Sequence, residues 1–329
     1  MDIIKMRLVK RLSVLAFVLL LLFSVLGVGC FGDVDQFPIA SADKFAALMV
    51  PDTNLELYAY AKQDRPTIIP AKIINLPHDI RVDSLAVWGL PSDKGLVFGA
   101  GFTFASSSDA SEIYNSIKLE QDGWKILRDN KIYVVRGSGT AAESLKSAIL
   151  NNDFKYYTNG NVLEAVTMLP RGGRTKMVAI GVAKPSKQVL EFTASYVGKK
   201  NFEQVDRILK LLNPEVVIGS LYSPHQINVA KAVEVFEKGS GASVLDVGML
   251  VSIKSGFPGF VVSPVAKNLV KDNGFVEKKV GEFTIYRGSW PAPDGSNIPV
   301  LVRIEGNYIF AAISGQEAYA ETIITSIYK

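Results

Sequence analysis

Two spacings of apolar residues alternate along most of this chain. Alternation of apolar and polar positions is typical of half-buried strands, and apolar residues three or four positions apart are typical of helices that pack on one face. The strand pattern occurs at residues 55–61, 83–90, 96–104, 124–128, 131–136, 176–183, 188–196, 216–221, 244–254, 275–279, 282–287, 299–304 and 308–313. The helix pattern begins at Ser41, near Ser106 and at Thr140, and recurs at 202–212, 227–236, 265–270 and 317–328. Prolines interrupt residues 63–77, which predicts irregular structure there.

The order of these elements favours antiparallel sheets. Several consecutive strands are separated by turns as short as Pro91–Gly95, which suits hairpins and is too short for the crossover that parallel strands require. We therefore predict an α+β fold of repeated antiparallel hairpin-plus-helix modules, with helices over one face of each sheet. The body is larger than one core usually holds, so we expect two or three packed subdomains. Their predicted bounds are 41–170, 171–243 for a middle unit, and 244–329.

One pair of hairpins suggests an internal duplication. Residues 122–138 and 273–289 align at a constant offset, each with a glycine followed by an aromatic residue, an apolar second strand and a final Arg-Gly-Ser. In the second copy these last residues are Arg287, Gly288 and Ser289. We therefore predict that part of the last subdomain duplicates part of the first.

The beginning of the chain has a different composition from the body. Lys5, Arg7, Lys10 and Arg11 precede an apolar run at 12–29, which is long enough to cross a hydrocarbon core of roughly 30 Å as a helix. The basic residues predict that this end stays on the cytoplasmic side. Small residues at 27–29 directly precede Cys30, as signal peptidases require.

This beginning resembles the signal peptides of bacterial lipoproteins. Their lipobox has leucine, a small residue, and glycine or alanine before the modified cysteine; here Leu26 lies four residues before Cys30 and Gly27 has the usual leucine position. The resemblance implies a signal peptide at 1–29, a lipid attached to Cys30, and a short tether at 30–40. An uncleaved signal anchor and simple secretion are the alternatives, and all three predict an extracytoplasmic body at the cell membrane or beyond it.

A second, shorter likeness concerns the start of the body. Val50, Pro51, Asp52 and Thr53, followed by the aromatic strand at 55–60, resemble the start of uncharacterised α+β modules in bacterial envelope proteins. The likeness implies an envelope module and no particular activity.

Charge and cysteine content narrow the function classes. The net charge of +4 falls to +1 once residues 1–30 are excluded, so the body has no electrostatic footprint for nucleic acid. The pairs Lys199–Lys200 and Lys278–Lys279 are interpreted as solvated turn and strand ends. Cys30 is the only cysteine, which suits an oxidising compartment because the body needs no disulfide.

The body contains few residues that indicate chemistry. His78 and His225 lack a second ligand at metal-binding spacing, and a zinc site needs three or four ligands, so we predict no metal and no cofactor. No serine lies in a Gly-x-Ser-x-Gly motif, and the Gly-Ser-Gly sequences at 137–139 and 239–241 are interpreted as flexible turns. The acidic pairs Asp109 with Glu112, Glu203 with Asp206, and Glu317 with Glu321 are interpreted as solvated helix neighbours.

Three further stretches have two interpretations each. Arg171–Arg174 would suit an anion or a loop between subdomains, and Trp290 beside the hairpin tip 291–295 would suit recognition or a core. Gly99 and Gly101 lie within a predicted strand, where they indicate a close approach or a bulge and not a phosphate loop.

These observations predict a membrane-anchored extracytoplasmic lipoprotein with a non-catalytic binding or structural role. The leading hypothesis is a module that contacts a protein partner in the envelope. The alternative is a solute-binding lipoprotein of a transporter, with its ligand in a cleft. A hydrolase is disfavoured because no nucleophile, base and orienting residue can be nominated together. The only residue with a specific predicted role is Cys30.

Overall fold

The computed structural model of the chain describes residues 49–52, 54–69, 80–119, 123–156, 158–170, 175–197, 199–224, 247–291 and 297–327. Its strands are β1 Met49–Val50, β2 Leu57–Ile69, β3 Ile80–Ser92, β4 Gly95–Thr103, β5 Gly123–Arg128, β6 Lys131–Arg136, β7 Lys155–Tyr156, β8 Met177–Ala183, β9 Pro214–Tyr222, β10 Gly248–Ser255, β11 Val276–Val280, β12 Phe283–Pro291, β13 Asn297–Glu305 and β14 Tyr308–Ser314. Its helices are α1 Ser107–Ser116, α2 Thr140–Asn151, α3 Gly160–Thr167, α4 Lys187–Val197, α5 Lys199–Leu212, α6 Gly259–Asp272 and α7 Glu317–Thr325.

Twelve of these strands form one sheet in the order β11-β12-β13-β14-β10-β9-β8-β2-β3-β4-β6-β5. Every neighbouring pair in it is antiparallel. The remaining strands, β1 and β7, pair with each other outside this sheet. The mixture of hairpins and helices confirms the predicted α+β class and its antiparallel pairing.

Helices cover both faces of the sheet. Helices α1, α4, α5 and α6 contribute Ile113, Val189, Leu212 and Val262 to the core on the first face. Helices α2, α3 and α7 contribute to a separate core on the second face. The prediction that helices cover one face only was wrong, and the reason lies in the central strands: β8, β10 and β14 are buried at every position, so each presents apolar side chains to both faces.

The segment predicted as a strand at 188–196 is helix α4 instead. Its sequence alternates as a strand would, but Val189 is buried and Leu190 packs against the same core, as on a helix face. Ser186 accepts a hydrogen bond from the backbone N–H of Val189 at 3.2 Å, which is the geometry of an N-cap. The prediction of a hairpin over 176–196 was therefore wrong because this capping serine was not taken into account.

Strand β2 continues through residues predicted to be irregular. It runs to Ile69 and passes Pro66, which cannot donate a ladder hydrogen bond. The pairing with β3 shifts register between Lys62 and Thr67, and the pairing with β8 ends at Ala61. The proline therefore lies at a bulge, where strands tolerate it, and the prediction for residues 63–69 was wrong.

Most other elements match their predicted positions within a few residues. The exceptions are β1, β7 and α3, which no apolar spacing indicated, and α6, which begins at Gly259 and not near residue 265. Helix α3 begins where Asn159 accepts a hydrogen bond from the N–H of Val162 at 3.1 Å. The helix predicted from Ser41 through Met49 lies outside the described residues except for Met49, which is in β1 and not in a helix, and the helix predicted at 227–236 lies outside them altogether. So do the predicted subdomain boundaries at 171 and 243, and the division into subdomains stays a prediction.

The two hairpins of the proposed duplication lie at opposite ends of the sheet. In each, the first strand is outermost (β5 and β11) and the second lies inside it (β6 and β12), after a helix on the same face. The next neighbours differ, because β6 pairs with β4 whereas β12 pairs with β13. The arrangement is compatible with duplication, which stays a prediction.

Candidate functional site

An aromatic-lined cavity of about 390 Å³ lies on the second face of the sheet, beside the end of α2. We call it the aromatic basin. It is lined by Tyr58, Tyr60, Ser84, Ala86, Trp88, Gly101, Phe102, Thr103, Lys131, Tyr133, Asn152 and Phe154. Most of these residues come from four adjacent strands, β2, β3, β4 and β6, and regular strands position side chains more rigidly than loops do.

Register explains why these side chains meet. Trp88 lies opposite Tyr58 on β2 and Gly99 on β4, and Gly101 lies opposite Tyr133 on β6. Because every second residue of a strand faces the same side, these positions form one continuous surface. Phe154 reaches the surface from the other direction, just after the left-handed Asn152 that ends α2.

Trp88 lines the basin and is almost completely buried. A Cβ atom built on Gly99 would lie 3.1 Å from Cε3 of its indole, and one built on Gly101 would lie 2.8 Å from its Cη2. The two glycines therefore make room for the indole to lie across β4. The positions of Gly99 and Gly101 within a strand predicted either a close approach or a bulge, and the structure has the close approach.

The indole packs with two further rings. Its centroid lies 6.4 Å from that of Tyr133, in a stacked arrangement, and 6.3 Å from that of Phe154. Tyr133 and Phe154 are themselves 5.9 Å apart. Aromatic pairs at such separations contribute about 0.5–1.5 kcal/mol each beyond the burial of their area.

Eight of the twelve residues that line the basin have a polar side-chain atom, and one of these atoms has no partner among the described residues. The Nε1–H of Trp88 is buried and has no hydrogen-bond acceptor among the residues that the structure describes. Tyr60 hydrogen-bonds to Ser84, and burial raises the pKa of Tyr60 while that hydrogen bond lowers it. Burial also raises the pKa of Tyr133. Both phenols are therefore neutral donors and acceptors at physiological pH.

Lys131 is the charged side chain among the described residues that line the basin, and Arg128 and Asp129 act on Tyr133 with opposite signs. Lys131 is exposed at the rim of the basin, and no aspartate or glutamate is among the described residues that line it. Arg128 lies nearby, where its guanidinium donates to the carbonyls of Ile149 and Leu150 at the end of α2 at 3.1 and 2.9 Å. The basin therefore suits a small solute with a flat face and a neutral or negative polar group.

A second polar cluster joins α3 to the sheet. Lys254 on β10 is buried, and its Nζ donates to Glu164 at 2.6 Å and to Asn161 at 3.0 Å. The hydroxyl of Tyr308 donates to the other Glu164 oxygen at 2.7 Å. Hydrogen bonds from Lys254 and Tyr308 lower the pKa of Glu164, and burial raises that of Tyr308. These contacts satisfy the cluster internally, so it holds α3 in position.

The structure describes only some of the residues that the sequence singled out. The residues that lie outside the described part of the chain are Cys30, His78, His225, Arg171–Arg174, the glycines at 239–241, residues 292–295 and the side chain of Trp290.

Within the described residues, no group of three or more His, Cys, Asp or Glu could hold a metal ion. None of the described helices has both the length and the apolar composition of a membrane-spanning helix.

The Gly-Ser-Gly sequence at 137–139 and the acidic pair Glu317 with Glu321 lie among the described residues and have structural roles. Gly137 and Gly139 have φ values of 121° and 90°, and Gly139 is the N-cap of α2, so the sequence 137–139 is the predicted turn. Glu317 forms a two-point ion pair with Arg287 at 2.6 and 2.7 Å and also contacts Lys278, which binds Glu321 as well. These acids therefore join α7 to β11 and β12, a contact that the interpretation as solvated residues missed.

Sequence reasoning did not identify the aromatic basin. The signal available was the alternation of Tyr58, Tyr60, Ala86 and Trp88 on two adjacent strands, together with Gly99 and Gly101 on a third. Their convergence depends on register, which the sequence did not define.

Comparison with known proteins identifies no family. No family model matches the chain, and no curated protein matches it. Among solved structures, crystal form I of TP0453 is similar at a TM-score of 0.36 and 12% identity, over 91% of this chain and 99% of that one. Crystal form III of TP0453 has a TM-score of 0.34 and 10% identity, over 90% of this chain and 99% of that one.

Proposed function

We propose that this chain is a non-catalytic extracytoplasmic lipoprotein that binds a small solute in the aromatic basin. The observation that supports solute binding is a cavity of about 390 Å³ with aromatic walls. Besides Phe102, these walls contain the side chains of Tyr58, Tyr60, Trp88, Tyr133 and Phe154. This volume falls in the range of roughly 300–1,000 Å³ that is common for ligand sites. The N–H of Trp88, which has no partner among the described residues, supports the same conclusion, because leaving such a donor buried costs about 1–3 kcal/mol and functional sites often contain such groups.

A protein partner is the second candidate. Among the described residues, strands β5 and β11 pair with a neighbour on one side only, and Val276 at the start of β11 is 68% exposed. An unpaired strand edge can bind another strand. However, β11 has Lys278 and Lys279, and lysines on an edge strand oppose such pairing. The basin is therefore favoured over the edges.

The solute-binding proposal is tested by filling the basin. Ala86 on β3 and Ala100 on β4 are both partly buried, but Ala86 lines the basin whereas Ala100 packs against the core on the opposite face. We expect Ala86→Leu to remove a small molecule that co-purifies with the full chain from its native envelope, and Ala100→Leu to retain it. Mass spectrometry of the molecules released on denaturation measures this, with thermal unfolding as the check of folding. Equal recovery from Ala86→Leu and the wild type would contradict the proposal.

The anchoring proposal is tested at Cys30. We expect the native N-terminal peptide to begin at Cys30 and to have the mass of a diacylglycerol with an added acyl chain, and Cys30→Ser to lose both the lipid and cleavage. Two acyl chains suffice for stable membrane attachment because each buried methylene contributes about 0.8 kcal/mol. Mass spectrometry of that peptide measures the modification directly. Unchanged electrophoretic mobility and membrane attachment in Cys30→Ser would contradict lipidation.

A further inference from the structure

Four apolar side chains are exposed where α5 ends and α6 begins. They are Phe260 at 82% exposure, Leu211 at 53%, and Phe257 and Val261 at 38% each. We call this group the apolar tip. Single exposed apolar residues are common on proteins, whereas a cluster of large ones on adjacent turns marks an interaction surface.

The apolar tip is held rigidly by the backbone around it. The N–H of Gly256 donates to the carbonyl of Asn213 at 2.8 Å, which joins the segment before α6 to the end of α5. The hydroxyl of Ser255 binds the carbonyl of Leu212, and the side chain of Asn307 donates to the carbonyl of Ser255 at 2.9 Å. A Cβ on Gly259 would lie 2.7 Å from the backbone of Gly306, so the start of α6 also packs tightly on the β13–β14 turn. The exposed side chains are therefore presented by a fixed surface.

On both α5 and α6, lysine or arginine side chains lie on the same face as the apolar tip, one or more turns away from it. On α6, Phe260 and Pro264 are followed at helical spacing by Lys267 and Lys271, all exposed; Lys271 is ion-paired with Glu277 at 3.1 Å, so Lys267 is the cation of this helix that is offered to headgroups. On α5, Arg207 lies one turn before Leu211 and is also exposed. The nearest acid on that helix, Asp206, is paired with Lys210 at 2.6 Å. An apolar end with cations one or two turns behind it matches the boundary between acyl chains and anionic headgroups.

The chain before the described body is long enough to permit contact with a membrane at this surface. If Cys30 is lipidated, residues 31–48 separate the anchor from Met49; the tether residues 31–40 span at most about 35 Å when extended, and the predicted helix over 41–48 adds about 12 Å. This reach exceeds the radius of gyration of about 19 Å expected for a body of this size. The anchor therefore leaves the orientation of the body open, and the surface chemistry selects it.

We propose that the apolar tip inserts into the headgroup region of an anionic lipid bilayer and so orients the anchored body on the membrane. This inference rests on the lipid anchor of the proposed function. It is independent of what the aromatic basin binds.

The test uses the single cysteine of the chain. An acylated Cys30 cannot react with a thiol dye, so Phe260→Cys and Val276→Cys introduce unique labelling sites at opposite ends of the α6 segment. The labelled full-length chains are reconstituted into phosphatidylcholine vesicles that contain phosphatidylglycerol and nitroxide lipids. We expect the dye at residue 260 to be quenched several-fold more than the dye at residue 276, and less so when phosphatidylglycerol is omitted, because the cations then lose their partners.

A second set of variants separates tip insertion from the effect of the dye. In this set the dye is attached at Asn268→Cys. Phe260→Ser is then expected to lower the ratio of membrane-inserted to free tip about tenfold, because burial of a phenylalanine contributes at least about 1.5 kcal/mol. The matched Val276→Ser is expected to leave it unchanged.

The outcomes distinguish the alternatives. Lipid quenching at residue 268, with Phe260 in place, that is no greater than at residue 276 overturns the proposal. Protection of residue 260 from an aqueous quencher without quenching by nitroxide lipids also overturns it, in favour of a protein partner or a second copy. Labelling of Cys30 itself would show that the anchor is absent, which is a failure of the proposed function and is visible by mass spectrometry before any vesicle is made.

Discussion

Replacing Trp88 with alanine is expected to lower the free energy of unfolding by about 3–5 kcal/mol, the usual cost of removing a large buried aromatic side chain. The residue is 2% exposed and packs against Tyr133 and Phe154, and no residue can fill its place because its neighbours on β4 are Gly99 and Gly101. The cavity left behind would join the aromatic basin, so we also expect any bound solute to be lost.

Trp88→Phe is the informative control. Phenylalanine keeps a ring over the glycines but has no N–H, so it removes a donor whose burial without a partner costs about 1–3 kcal/mol. This gain offsets part of the lost packing, and we expect Trp88→Phe to be much less destabilising than Trp88→Ala. Bound solute should nevertheless weaken if the indole N–H donates to it.

Denaturant unfolding of the full chain measures both variants, with Trp124 on β5 and Trp290 as the fluorescent reporters that remain. A Trp88→Ala protein of wild-type stability would mean that the glycine-lined floor does not constrain the indole. If Trp88→Phe bound the solute as well as the wild type, the N–H would have no role in binding, and its missing partner would be a feature of the fold alone.

The sequence predicted the local elements better than their assembly. The hairpin of β5 and β6 was predicted almost to the residue because its strands alternate clearly around the turn at Asp129 and Asn130. Helix α2 was predicted with the correct buried face, which includes Leu145 and Ile149. These features depend on periodicities within a few residues, and no distant contact overrides them.

Features that depend on distant contacts were not predictable in this way. The segment of α4 fits both periodicities, and its choice of helix depends on the cap from Ser186 and on the core beneath Val189. The aromatic basin combines residues from 58 to 154 along the chain, and their meeting requires a strand order that no local pattern specifies. The ion pair between Arg287 and Glu317 is invisible in sequence for the same reason.

The shared Arg-Gly-Ser of the two hairpins illustrates this limit. Gly288 is required because a Cβ there would lie 2.5 Å from the ring of Phe275, whereas Gly137 has a φ of 121° and faces Val97. The same residue type therefore meets a packing requirement in one copy and a backbone requirement in the other. Identical letters at equivalent positions do not establish equivalent roles.

Replacing Arg303 with methionine is expected to destabilise the fold by about 3 kcal/mol, because it leaves buried groups without partners. Arg303 on β13 is 3% exposed; its guanidinium donates to the carbonyls of Ile324 and Ile327 at the end of α7 at 3.3 and 3.4 Å and binds Glu305. It also lies 4.0 Å from the ring centre of Phe283. Methionine fills a similar volume but donates no hydrogen bond, so the last turn of α7 should fray first.

A double-mutant cycle isolates the ion pair within this effect. Glu305→Gln alone leaves a buried guanidinium without its carboxylate, but in the Arg303→Met background it removes a carboxylate that has already lost its partner. We therefore expect Glu305→Gln to cost more in the wild type than in Arg303→Met, with a coupling energy of about 0.5–3 kcal/mol. Denaturant unfolding of the four proteins measures the coupling, and hydrogen exchange of the α7 amides locates the fraying. Additive costs would mean that Arg303 stabilises α7 through its carbonyl contacts and Phe283 alone, without help from the charge of Glu305.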